Sequence, residues 1–244
     1  MDYLKLKDDC VSWIREWFDN NGKGCKAVLG MSGGKDSTVA AALCAEALGK
    51  ENVVGVAMPA EGQSLNGADE ICGYLGIRYI CTPIGDIINS FEGISASFPE
   101  PLSKQTEQNI PPRVRMTVLY AVSQTLGGRV VNTCNLSEDW IGYATRWGDS
   151  VGDFSPLGNL TVQEIRGIGH AMSIPSKWVD KTPDDGLPHS CSDEEKFGFT
   201  YEVLDKYIRT GICEDLQTKE KIDRMHRNNL FKMSMPESFR PEDI

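Results

Sequence analysis

Apolar residues at Val11, Ile14, Trp17 and Phe18 recur at the three- and four-residue intervals of one helical face, which predicts an opening amphipathic helix ended by residues 20–24. Ala27-Val28-Leu29 is a short continuous apolar run and reads as a buried strand; after a glycine-rich turn, the alanine-rich segment 37–48 predicts a helix. Residues 52–58 (NVVGVAM) form a second buried strand, closed by Pro59. Segment 60–76 places Ala68, Ile71, Cys72 and Leu75 at helical spacing, and 77–82 reads as a strand. A weaker helix near 85–92 precedes an irregular stretch over 93–112. A strong helix is predicted over 113–126 and a fourth strand over 129–134 (RVVNTC). Beyond residue 140 strands become scarce: 160–172, 201–208 and 219–232 read as helices, and 175–196 as a polar loop rich in Pro, Asp and Ser.

Near-continuous apolar strands separated by helices point to an α/β fold, a doubly wound and mostly parallel sheet with helices on both faces. No internal repeat or obvious linker divides the chain, so one domain over 1–244 is expected. The 244 residues, 40% hydrophobic and 25% charged, are enough to bury a substantial core without disulfides. Lys and Arg total 25 against 35 Asp and Glu, a net charge of −10, which argues against a broad nucleic-acid-binding surface but leaves room for a local cationic pocket. No apolar run approaches the roughly 18 residues of a membrane span, and MDYLKLKDDC lacks the order of a secretory signal. The 8 cysteines never fall as CxxC, so they read as reduced residues of a cytoplasmic protein rather than disulfides or a zinc site.

The chemistry concentrates in Gly30-Met31-Ser32-Gly33-Gly34-Lys35-Asp36-Ser37, directly after a strand and opening a helix. Unpaired N–H groups and the positive end of the helix dipole converge there, a ready site for phosphate. Gly33 and Gly34 free the backbone, Ser32 and Ser37 add hydroxyls, and Lys35 adds a cation. The spacing is not that of a Walker A loop, and no GxGxxG is present. An aspartate inside a phosphate cradle is repulsive unless a cation intervenes, so Asp36 points to Mg²⁺.

SGGKDS resembles the pyrophosphate loop of the ATP pyrophosphatase superfamily, which splits ATP between its α and β phosphates. Later segments are similar to one branch, the NAD synthetases. They are Asn109 to Met116 (NIPPRVRM), Asn132-Thr133 with Glu138, Tyr143 to Asp149 (YATRWGD) with Asp153 and Pro156-Leu157, the segment from Lys181 to Tyr201, and the terminal pair Phe231-Lys232. The resemblance runs in order from about residue 5 to 240.

It implies ATP-dependent amidation of deamido-NAD by ammonia through an NAD-adenylate, giving NAD, AMP and pyrophosphate. Residues 30–37 together with Met58, Thr133, Val162 and Asp184 would contact ATP; Asp36 and Glu138 would hold Mg²⁺. Arg113, Arg146, Asp153, Phe231 and Lys232 would bind deamido-NAD, since arginine's fork suits carboxylate and phosphate. Asp149 and Lys181 join Asp36 as catalytic residues, Asp149 by taking a proton from ammonium; Asp149 and Asp153 are interchangeable in these roles. The family pattern further implies a homodimer with the 109–126 helix near its interface. Only 29 residues precede the loop, so free ammonia or a separate donor is expected rather than a fused glutaminase.

Met58, Val162, Asp184 and Phe231 depart from the commoner residues Arg, Lys, Ser or Thr, and His. They keep two alternatives open: another pyrophosphate-loop adenylating enzyme, or a nucleotide-binding sensor without turnover. His170, His189 and His226 show no catalytic pairing; His226 reads as a solvated helix residue.

Overall fold

The apolar runs of the first half pair side by side. In a computed structural model that describes residues 1–181 and 192–239, they become β1 (Lys26–Gly30), β2 (Val53–Ala57), β3 (Arg78–Cys81) and β4 (Gly128–Val130), parallel throughout in the order β3-β2-β1-β4. Val28 lies opposite Val54 on one side and Val130 on the other. All five residues of β2 are buried, as a strand covered on both faces requires.

Alternation along these strands sorts the core into two layers. Ala27, Leu29, Val53 and Ala57 pack with α1 (Tyr3–Asn21), α2 (Lys35–Leu48), α3 (Ala68–Leu75), α7 (Val162–Ala171) and α8 (Ser176–Val179). Val28, Val54, Val56 and Val130 pack with α4 (Gly85–Ser95) and α5 (Lys104–Thr125) through Ile84, Ile110, Val114 and Leu119. Gly55 is required in β2 because a Cβ there would come within 2.7 Å of both Cys72 Sγ and Met31 Cγ. A third apolar cluster joins α6 (Leu136–Ile141), α9 (Asp193–Phe197), α10 (Tyr201–Thr210) and α11 (Leu216–Asn229) through Ile141, Phe197, Tyr201, Leu204 and Ile222.

The structure corrects several expected boundaries. The stretch 93–112 is not irregular throughout: α4 continues to Ser95, and α5 starts at Lys104, capped by Ser103 Oγ, which accepts the Thr106 N–H at 3.2 Å. Pro111 and Pro112 lie inside α5, where each removes a helical donor, yet Ile110 and Val114 are buried on the sheet; packing outweighs the local penalty. β4 stops four residues before the predicted end. Val131 makes a single parallel bridge to Phe154, and Asn132 Oδ1 accepts the Cys134 N–H at 2.8 Å to start a turn. Segment 175–196 is not wholly a polar loop, since α8 buries Trp178 and Val179, and α9 opens with a Ser192 capping box. His226 is only partly solvated: it stacks on Trp140 at 4.1 Å, and its Nδ1 lies 2.8 Å from Trp140 O.

Two neighbours flank β1, β2 on one side and β4 on the other, and the chain leaves β1 and β4 in different directions. Their carboxyl ends therefore form a switch point, where open α/β sheets leave a crevice. Among the described residues no helix is long and apolar enough to cross a membrane.

Candidate active site

The crevice is a cavity of about 430 Å³, floored by the 30–37 loop and walled by the end of β2, by α5 and by residues 131–138. Gly30 and Met31 continue β1, and the Met31 N–H donates to Val56 O at 2.8 Å. The Met31 side chain goes into the core, so this residue meets the cavity mainly through its backbone. Gly33 has φ of +76° and a virtual Cβ 2.4 Å from Asn66 O; no other residue would let the loop pass so close to segment 60–67. Gly34 caps α2 with no side-chain hydrogen bond to the first turn, leaving those N–H groups free for an anion. Ser32 Oγ and Ser37 Oγ lie 3.2 Å apart beside them.

Asp36 faces this cradle with both oxygens engaged. Oδ2 accepts from Lys35 Nζ at 2.9 Å, and Oδ1 from Asn135 Nδ2 at 3.3 Å. Asn135, fully buried, also caps α6 by accepting the Glu138 N–H at 3.0 Å. One amide thus ties the β1 loop to the helix that carries Glu138. Burial pushes the Glu138 carboxyl well up, Asp36 adds to the rise, and Lys35 opposes it. Glu138 and Asp36 are hard oxygen donors brought to one cavity, a set suited to Mg²⁺, and the residues fit that ion. When bound it would neutralise phosphate charge.

Thr133, Asp149 and Lys181 also line the cavity. Asp149 Oδ1 accepts the Thr145 N–H at 2.7 Å; the surrounding protein pushes its carboxyl up, while Thr145 and Arg115 pull it down. Met58 lies at the cavity wall, where its carbonyl accepts from Arg115 Nε at 3.0 Å. Arg115 Nη2 reaches Gln63 Oε1 at 2.6 Å, so this arginine fixes the loop after β2. It stands within the RVRM segment, where spacing alone does not rank it above Arg113, because only the fold shows which side of α5 faces the cavity.

Val162 does not reach the cavity. Its side chain is buried in the third apolar cluster and its N–H donates to Ser137 Oγ at 3.0 Å. Asp184 lies outside the described residues. One turn beyond Val162, Arg166 has a buried Nε without a hydrogen-bond partner and repels Lys35 electrostatically. Nothing in the sequence distinguished it from a surface arginine.

A second grouping lies beside the cavity. The Arg146 guanidinium sits between the Trp147 ring (5.0 Å) and the Phe231 ring (5.3 Å), and its Nη2 donates to Ser234 O at 3.2 Å. Arg113 Nε donates to Arg146 O at 3.3 Å, and Lys232 Nζ to Gly142 O at 2.9 Å. Trp147 holds φ of +62° and is half exposed, a strained setting for a bulky side chain. Four of the five residues expected at the acceptor nucleotide therefore gather. Asp153 does not join them: its Oδ2 accepts the Val130 N–H at 2.7 Å and Oδ1 the Tyr120 hydroxyl at 3.3 Å, finishing the edge of β4.

The chain matches the NAD synthase family model over residues 6–240. It is 35% identical over 242 residues to an NH(3)-dependent NAD(+) synthetase from Finegoldia magna, covering 98% of this chain and 97% of that one. Among solved structures it is similar to the NMN synthetase from Francisella tularensis, with a TM-score of 0.90, 26% identity and full coverage of both chains. It is also similar to the NH3-dependent NAD synthetase from Campylobacter jejuni, with a TM-score of 0.79, 30% identity and coverage of 98% and 100%.

Proposed function

This chain belongs to the NAD synthase family, and from that premise we infer that it amidates deamido-NAD with ammonia, converting ATP to AMP and pyrophosphate. The observation that carries the reading is the uncapped α2 N-terminus opening onto a switch-point cavity beside Asp36 and Glu138. The first-turn N–H groups and the Ser32 and Ser37 hydroxyls hold the departing pyrophosphate. That leaves the α-phosphorus toward the cavity, where the nicotinate carboxylate attacks and forms NAD-adenylate. Ammonia then attacks the acyl carbon and AMP leaves. Asp36 and Glu138 would hold Mg²⁺, which would neutralise phosphate charge; Lys181, which lines the same cavity, adds a cation there. Asp149 takes the proton from ammonium, since its carboxyl lines the cavity and is raised by burial. No side chain acts as a nucleophile, so rate acceleration rests on positioning and fixed charge.

Arg113, Arg146, Phe231 and Lys232 form the acceptor side, with Trp147 as an added ring. The protein works as a homodimer, a reading supported by Ile87, Phe91, Ile94 and Phe98, which form an exposed apolar stripe on and just beyond α4. The domain extends over the whole chain.

A second acceptor is favoured by one observation: similarity over the full length of both chains, with a TM-score of 0.90, to an NMN synthetase. Nicotinate mononucleotide carries the same carboxylate and one phosphate fewer, without the adenosine half. The test is to incubate the purified chain with ATP, Mg²⁺ and NH₄⁺, offering deamido-NAD and nicotinate mononucleotide separately and together, and to follow amide product and AMP by chromatography. NAD and AMP in equal amounts support the first reading. A kcat/KM higher for the mononucleotide transfers the role to the second. AMP formed with neither acceptor present in the product rejects both.

A further inference from the structure

The Lys35 side chain is 2% exposed, and its ammonium lies against Asp36 Oδ2 at 2.9 Å. The Tyr201 ring is 5.8 Å from that ammonium and almost wholly buried. Glu138 attracts the same ammonium and Arg166 repels it. With Asn135 Nδ2 on Asp36 Oδ1, both oxygens of the aspartate are occupied by donors of the chain itself. An internal cation thus stands within the carboxylate pair that the reading above gives to Mg²⁺.

We propose that Lys35 is a built-in counter-ion which closes the Asp36–Glu138 pair to free divalent cations and releases it only to a metal–nucleotide complex. The inference rests on the assignment of that pair as the metal-holding one. A hydrated divalent ion arriving alone must push Lys35 off Asp36 and take up Glu138, the other carboxylate that attracts that lysine, leaving a buried ammonium repelled by Arg166 and by the newcomer. A triphosphate changes this balance. On the reading above its oxygens would lie at the α2 N-terminus, at whose first position Lys35 stands, and Lys35 lines the same cavity. The ammonium can then turn from the aspartate to phosphate without losing a partner, and Asp36 is freed for the metal.

The test measures Mn²⁺ binding by electron paramagnetic resonance of the free ion, with and without a non-hydrolysable ATP analogue. Nucleotide-free wild type is expected to bind Mn²⁺ at least about tenfold more weakly than the Lys35→Met variant, and the analogue should remove most of that gap. Should Lys35→Met not fold, wild type alone decides: uptake without nucleotide as tight as with it overturns the proposal. Equal affinities of the two nucleotide-free proteins overturn it as well, while leaving the metal assignment intact. If neither protein takes up Mn²⁺ even with the analogue, the carboxylate pair is not the metal site and both statements fall, whatever the amidation assay shows.

Discussion

At Asp139 one carboxylate oxygen is buried without a hydrogen-bond partner, and burial, followed by the charge of Asp149, pushes the carboxyl up to about 7. An aspartate in the unfolded chain titrates near ~4. The folded protein therefore holds a proton that the unfolded chain has released. This group's share of stability is full below the unfolded value and declines as pH rises through the interval up to the folded one. Asp139→Asn removes the titration while keeping the shape. It should gain stability at pH 8 relative to pH 5, on the order of 1 kcal/mol, in urea unfolding with chelator present. An equal change at both pH values would refute the argument. At Asp36, by contrast, both oxygens are engaged by donors of the chain. Asp36→Asn should lower turnover by about 10² or more in the amidation assay, because pyrophosphate then departs against uncompensated charge. Retention of wild-type kcat would remove Asp36 from the chemistry.

Among the elements, α7 shows how a helix start can be fixed by a single side chain. Glu164 Oε2 accepts the Thr161 N–H at 2.9 Å, closing a capping box, and the Arg209 fork reaches its two oxygens at 2.8 and 2.5 Å. Burial alone would raise this carboxyl; the arginine and the Thr161 donors outweigh it and hold the group below its usual range. The stabilisation is present above the ordinary glutamate value and lost as pH falls through the folded one. Glu164→Gln should cost about 1–3 kcal/mol at pH 7 in denaturant unfolding, with the deficit shrinking toward pH 3. A deficit independent of pH would place the effect in packing instead. Elements with a continuous local signal were legible: the β1–loop–α2 unit could be read because strand, glycines and Asp36 are contiguous. The start of α5 was not, because Pro111 and Pro112 argue locally against a helix that only the sheet beneath it justifies. Asn135, Arg115 and Arg166 were missed for a related reason, since their roles lie in partners 50 or more positions away or in a missing partner. Val162 and Asp153 stand at the expected sequence positions, but the fold uses the first for packing and the second to complete a strand edge.

For the whole molecule the open question is how α4 is covered. Ile87, Phe91 and Ile94 follow one another at four- and three-residue intervals and are 46%, 36% and 58% exposed, with Phe98 continuing the stripe. An apolar stripe of this kind on a chain of net charge −10 is costly to leave in water, and a symmetric pair of copies would cover it with one self-complementary contact. α4 packs on α5, and α5 carries Arg113 at the edge of the acceptor grouping. A contact along α4 and α5 therefore lies close to the acceptor side and is separated by the sheet from α2. Ile94→Glu sets a carboxylate into the centre of that contact without touching the core. Sedimentation should show wild type as a dimer and the variant as a monomer with an unchanged melting temperature for the isolated fold. If the acceptor grouping depends on the second copy, the monomer's KM for deamido-NAD rises about tenfold or more while its affinity for an ATP analogue stays within about twofold. A monomeric wild type, or a monomeric variant with an unaltered KM, would separate the apolar stripe from catalysis and make α4 the docking face of a different partner.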